Sequence, residues 1–367
     1  MHSNPDLIPQ YKIDNQNIKN NSLCIKFLYL YDHFADYSLM LCQTMDRQLI
    51  RRIENDYPYP LALEFRRLNT KEYLALDENR LRQILKISET TIHLIALISV
   101  VDLLENCTKS VLNIPYSFIK EFPILFTRSS FGKWISLTRE CIKIFHLNGL
   151  PMFITELSEY FVDEKGSESD SSKAFNILTN IRNKLSHPQF TLTNKIIEDF
   201  CIETEKLLET ILAKLEFLTE YSFLYVDHIS VKYRKWDNPS FFHTFSEVIG
   251  NSSEFNAYNK ILTEMVNTPA IIFVKDLDEK KYLNLDPVII YSNEGENKIP
   301  DIFMYVDWDK GKSVKYKPVW NGGAFSLSGT TIEIEVINSL LKFFEFLTNE
   351  EVYLGYKECV EKLKVNT

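Results

Sequence analysis

The chain has 367 residues, 45% hydrophobic and 25% charged, with a formal net charge of −9. Those values fit a globular protein with room for two domains and rule against a general nucleic-acid binder held by bulk positive charge. With only 10 glycines, an enzyme built on glycine-rich nucleotide cradles is also disfavoured.

The N-terminus, Met1-His2-Ser3-Asn4-Pro5-Asp6, has no basic segment followed by an apolar core, so no signal peptide is expected. The stretch Phe27 to Cys42 is broken by Asp32, His33 and Asp36 and is too short to span a bilayer. A cytoplasmic chain without membrane contact is expected. Residues 1–20 read as a loose arm, and Leu23, Phe27, Leu30, Tyr31 and Phe34 repeat at helical spacing, so 1–55 is an N-terminal helical extension. Tyr57-Pro58-Tyr59-Pro60 breaks the pattern and marks a domain edge.

From 60 to about 160 the pattern is helical. Leu81, Leu85, Ser88, Ile92, Ile95 and Ser99 share one face, and Leu94, Ala96, Leu97 and Ile98 surround it, which predicts a helix buried nearly all round. Asn113 to Pro123 reads as a connector, and Ser129 or Ser130 as the cap of the next helix. The acidic run 163–172 reads as a loop. Two helices follow it, one through Ala174, Leu178, Ile181 and Leu185, the other after Pro188 with Ile197, Leu208, Ile211 and Leu218 on one side. After Tyr221 the period falls to two, at Ile229–Val231–Tyr233, Val314–Tyr316 and Ile332–Ile334–Val336. A helix from Glu254 to Val266 is expected among these strands, and Thr348 with Glu351 predicts a last helix. The fold class is α+β: an all-α bundle at 56–222, a smaller α+β domain at 223–340 that senses or docks a partner, and C-terminal helices at 341–367.

The most informative residues are Arg182-Asn183-Lys184-Leu185-Ser186-His187, at the end of a helical pattern and just before Pro188. On a helical wheel Arg182 falls about 60° to the flank of the buried stripe, and Asn183 and His187, four apart, stack about 160° from it. Asn183 can bond an imidazole nitrogen and fix its tautomer. Pro188 disfavours helix at His187, so that ring can turn outward. Between Ser171 and Ile197 there is no acid but there are Lys173, Arg182, Lys184 and Lys195, a local basic patch able to hold a phosphodiester. A lone Arg and His five apart on a polar helix face are otherwise ordinary surface residues.

The motif and its surroundings resemble the HEPN superfamily. The stretch from Tyr57 to Gln189 is similar to one bacterial type of that domain. A Pro-x-Pro start leads into an Arg-rich helix (Tyr57-Pro58-Tyr59-Pro60 to Arg66-Arg67-Leu68). A long apolar helix with an early acid follows (Glu89 to Val101), then Ser130-Phe131-Gly132-Lys133-Trp134, and the Arg182-Asn183-x-x-x-His187 motif closes it. Many members are metal-independent endoribonucleases. The resemblance implies a homodimer in which two such motifs form one cleft, with Arg182, Asn183 and His187 catalytic, RNA as partner and no cofactor or metal. His187 would exchange a proton with the 2′-hydroxyl or the leaving 5′-oxygen, and Arg182 would stabilise the crowded phosphate, leaving 2′,3′-cyclic phosphate and 5′-hydroxyl ends. A prokaryotic defence or toxin role is implied. The alternative is a non-catalytic interaction or nucleotide-sensing module of a larger complex. Where some small members carry a nucleotidylated Tyr two residues after the His, this chain has Gln189.

Other features carry less. Arg66 and Arg67 could line an RNA groove or form a solvated helix face. A regulatory protein or small ligand could act through 223–340, and the acidic run 163–172 could fold over the basic patch. Gly311-Lys312-Ser313 lacks the earlier Gly of a phosphate loop, since that position is Val306, and reads as a hairpin turn. His228 and His243 have no metal-ligand spacing. None of Cys24, Cys42, Cys107, Cys141, Cys201 and Cys359 sits in a zinc pattern, so reduced, buried thiols are expected. Trp236, Trp308 and Trp320 could stack on a base, but core positions are the default in a small β domain.

Overall fold

The computed structural model describes residues 45–109, 112–127, 130–186, 193–251, 255–262, 264–266, 268–275, 281–292, 301–309, 313–320, 325–326, 342 and 345. The strand expected at 332–336 and the helix expected from Thr348 lie outside these, as does the helical pattern of 22–44.

Among the described residues eight α-helices precede the strands. They are α1 (Arg47–Asp56), α2 (Tyr59–Leu68), α3 (Glu78–Lys109), α4 (Tyr116–Phe126), α5 (Phe131–Leu147), the short α6 (Leu157–Phe161), α7 (Asp170–Leu185) and α8 (Asn194–Ala213). Pro58 stops α1 and its successor takes Pro60 in its first turn, where the missing N–H costs nothing. Helix α3 is the centre. It is long and apolar enough to cross a membrane by composition, yet it is buried among other elements of the protein. Three of its buried hydroxyls are satisfied within the helix: Ser88, Thr91 and Ser99 donate to the carbonyls of Ile84, Ile87 and Ile95. Helices α2, α5 and α8 pack against it. Arg80 of α3 forms a two-point ion pair with Glu205 of α8, at 2.8 and 3.3 Å, and also donates to the Tyr73 carbonyl.

Residues expected to be a connector, 113–123, instead form most of α4. Phe118, Phe122 and Phe126 recur every four residues and all are buried, and that stripe outweighs Pro123 within the helix. Ser130 does stand at the N-cap of α5, without a side-chain cap bond.

The strands form two antiparallel sheets. One has the order β3-β2-β1-β4-β5, the other β6-β7-β8-β9. In the first lie β1 (Tyr221–Lys232), β2 (Ser240–Glu247), β3 (Asn256–Leu262), β4 (Ala270–Lys275) and β5 (Tyr282–Asn284). In the second lie β6 (Ile289–Ser292), β7 (Asp301–Asp309), β8 (Ser313–Pro318) and β9 (Phe325–Ser326). β7 pairs antiparallel with β8 from Phe303↔Pro318 to Asp309↔Ser313, and Gly311 and Lys312, read as a hairpin turn, lie outside the described residues. The helix expected from Glu254 to Val266 is corrected to the strand β3, paired with β2 from Phe241↔Leu262 to Glu247↔Asn256. Its mostly exposed residues fit an edge position, and pairing overrides the helix-like spacing of Tyr258, Ile261 and Leu262.

The expected division at residues 222 and 223 does not separate two bodies. Residues 47–367 make one compact unit, and α1, placed by the sequence in a separate extension, belongs to it. Backbone bonds join the α1–α2 corner to the end of β2, from Tyr59 N–H to Val248 O and from Gly250 N–H to Tyr57 O. Tyr305 of β7 lies in the helical core, stacked on Phe126 at 4.4 Å. The Nε2–H of buried His93 donates to the Tyr305 carbonyl at 2.6 Å, and burial lowers this imidazole to about 3, so it stays neutral.

Candidate functional site

Helix α7 carries the Arg-x-x-x-x-His motif at its C-terminal end. Ser169 caps its start by accepting from the Ser172 N–H, and Asp170 lies in its first turn. Ala174, Phe175, Leu178 and Ile181 are buried, fixing the rotation of the helix. That rotation leaves Arg182 half-buried and turns Asn183 and Lys184 to solvent. The helix ends at Leu185. Ser186 closes it with its N–H bonded to the Arg182 and Asn183 carbonyls and its hydroxyl to the Arg182 carbonyl. His187 lies outside the described residues. Among the described residues the Arg182 guanidinium has no carboxylate or hydrogen-bond partner, unlike Arg80 and Arg139.

The connector 187–192 leads directly into α8, so the end of α7 and the start of α8 lie at the same end of this helix pair. Thr193 caps α8, accepting from Ile196 N–H, and the first turn holds exposed Lys195 and no acid. The positive end of the α8 dipole and the cation of Lys195 make the start of that helix favourable to an anion.

The other expected RNA contacts are elsewhere. Lys173 is near the opposite end of α7, roughly 13 Å along its axis from Arg182, and pairs with Asp170 at 3.6 Å. Arg66 donates to the backbone and side-chain oxygens of Asn251. Arg67 pairs with buried Glu64 at 2.7 Å and bonds the Trp320 carbonyl. These two arginines hold α2 to the β region and do not line a groove with the motif. The acidic run is likewise not a free flap. Asp163 Oδ1 accepts from Lys165 and Ser167 N–H, Val162 bridges Glu168, Glu168 pairs with Arg139, and Asp170 pairs with Lys214 at 3.2 Å. It is a tight turn feeding α7, roughly 18 Å from Arg182.

A second concave site was not singled out by the sequence. A cleft of about 770 Å³ opens between the C-terminal end of α3, the segment 151–155 and strands β4–β5. Asp102 forms its inner wall at 3% exposure. Its Oδ2 accepts from Phe153 N–H at 2.6 Å and its Oδ1 from Asn106 Nδ2 at 2.8 Å. Burial raises this carboxyl to about 7, against those two bonds, which favour the charged form. Lys275 across the cleft is held by Glu156 at 2.7 Å and its pKa is pushed up by that bond. The one signal in the sequence was an acid within an apolar run, at Val101-Asp102-Leu103.

His243 is buried and satisfied, its Nδ1–H donating to the Phe241 carbonyl and its Nε2 accepting from Val266 N–H. Cys107, Cys141 and Cys201 are free and buried; Cys24, Cys42 and Cys359 lie outside the described residues. Among the described residues no three His, Cys, Asp or Glu side chains gather as a metal-ligand set.

The sequence matches no protein-family model, and it has no match among curated proteins or solved structures.

Proposed function

We propose that the chain is a HEPN-type, metal-independent endoribonuclease whose site is the C-terminal end of α7. The observation that carries this reading is Arg182. It is half-buried and without a partner among the described residues, beside exposed Asn183 and Lys184, and His187 follows in the chain as the helix ends. A guanidinium kept from internal carboxylates is available for a phosphate, which it can grip with two parallel hydrogen bonds. His187 supplies a group that titrates near neutral pH and moves the proton of the 2′-hydroxyl or the leaving oxygen, a contribution of ~10²–10⁴-fold. DNA lacks the attacking oxygen and is not cut. Because Asn183 and Lys184 face solvent, a second copy of the chain is the surface that closes the site.

The test is cleavage of RNA by the full-length protein in EDTA, with end-group analysis. Arg182→Ala and His187→Ala should each abolish cyclic-phosphate products and leave the melting temperature unchanged. A substrate with a single 2′-deoxy group at the scissile position should survive. Cleavage that persists in His187→Ala overturns the proposal. The cleft at Asp102 favours a second reading, a small-ligand sensor, because its volume suits a metabolite-sized molecule and its walls bring rings and charges of both signs together. In that reading ligand binding depends on Asp102 and is indifferent to Arg182.

A further inference from the structure

The connection between β1 and β2 extends away from the core. Every residue from Ser230 to Pro239 is exposed. Three of them are large and apolar or aromatic: Val231 is 58% exposed, Tyr233 70% and Trp236 89%. Interleaved with these are Lys232, Arg234 and Lys235, against the one acid Asp237, in a chain of net charge −9. The Lys235 ammonium lies 4.9 Å over the Trp236 ring, and Lys232 lies 5.7 Å over Phe242.

The backbone adds an independent observation. Asp237 N–H donates to the Arg234 carbonyl at 3.1 Å, closing a four-residue turn. Trp236 is its third residue and has φ 81°, the single positive-φ non-glycine among the described residues. That position of a turn favours glycine, and a bulky aromatic there is strained. Folding alone gives no reason to keep the largest side chain where the smallest fits better and almost nothing covers it.

Edge protection accounts for part of the pattern only. Past Val226 the side of β1 away from β2 has no partner strand among the described residues, and lysines commonly blunt such edges. They do not explain Tyr233 and Trp236. A membrane-inserting tip would be apolar across its apex, but here Trp236, the middle residue of the loop 233–239, has Lys235 on one side and Asp237 and Asn238 on the other, polar groups that insertion would have to desolvate. Flat rings flanked by cations match single-stranded nucleic acid, whose bases stack on aromatics while its phosphates meet Lys and Arg.

We propose that the hairpin tip from Val231 to Trp236 binds single-stranded nucleic acid, with Tyr233 and Trp236 as stacking platforms and Lys232, Arg234 and Lys235 along the backbone. This deepens the ribonuclease reading by giving the substrate a second hold, and it rests on that reading only for the choice of RNA over DNA.

The test uses full-length protein carrying His187→Ala, so that no probe is consumed, and a fluorescent oligouridylate dodecamer read by anisotropy. Trp236→Gly is the decisive variant, since glycine relieves the turn. Its melting temperature should be equal or higher, and it should bind about 10- to 100-fold more weakly. Changing Lys232, Arg234 and Lys235 to Gln should lower the slope of log affinity against log salt by about 2. An oligothymidylate of equal length should bind within a few-fold, and a blunt duplex far more weakly. Unchanged binding by Trp236→Gly, or a duplex bound as tightly as the single strand, overturns the proposal. So does hairpin-dependent binding to phosphatidylserine vesicles without binding to the oligonucleotide. Cleavage by the His187-bearing chain is scored separately, so loss of the nuclease reading leaves this result standing.

Discussion

Asp102 ties a proton to the architecture at the end of α3. Its carboxyl is raised from 3.8 to about 7 by burial, so the folded chain holds that proton more tightly than the unfolded one. The stability this confers is fully present below about pH 4 and is lost as pH rises through about 7. Asp102→Asn removes the titration. Its stability relative to the parent should therefore rise between about pH 4 and pH 7 and level off above that in urea titrations; a constant offset across that range would contradict the assignment. Arg80 and Glu205 pose the opposite case. Their side chains are 3% and 11% exposed and satisfy each other. Arg80→Met leaves a buried carboxylate alone and should cost about 3–5 kcal/mol, whereas replacing both with Met should recover most of that. Equal denaturation midpoints for the single and double variants would show the pair to be inconsequential.

At the scale of elements, the junction between helices and strands is held by backbone. Gly250 accepts the geometry that closes it, with φ 70° and a position where an added Cβ would lie 2.9 Å from the Asn55 carbonyl oxygen. Gly250→Ala should cost about 1–3 kcal/mol, seen as a lower melting midpoint without loss of helix signal before the transition. The same scale shows what the sequence made legible. Helix α3 was readable because its apolar residues are unbroken over many turns, and the rotation of α7 because Ala174, Leu178 and Ile181 leave one solution for Asn183. Helix α4 was hidden by Pro115 and Pro123, whose local message is a break. Strand β3 was hidden because its residues suit either period, and the decision lies with β2. The cleft was hidden for a related reason: Asp102 and its partner Phe153 are 51 residues apart, and Lys275 and Tyr282 come from the far sheet. The default of core tryptophans failed at Trp236 and at Trp320, both exposed, because nothing local says whether a hairpin tip or a strand end is covered.

The molecule beyond residue 46 is one unit, and its two halves share a core. Residues 1–222 on their own would bare Phe126 and His93, which Tyr305 of β7 stacks on and accepts a hydrogen bond from. That fragment should be insoluble or unfold without cooperativity, while the full chain shows coincident near- and far-ultraviolet transitions; a soluble, cooperatively melting fragment would restore two independent domains. The shared core also has a history during synthesis. His93 and the carbonyl it bonds are separated by 212 residues. At ~5–20 residues per second, a ribosome takes on the order of 10–40 s to deliver the second after the first. Throughout that interval α3, apolar on every side, is outside the tunnel without the strand that seals it. The nascent protein is thus a natural client for chaperones that shield sticky helices, and translational pauses placed before residue 301 would lengthen its exposure.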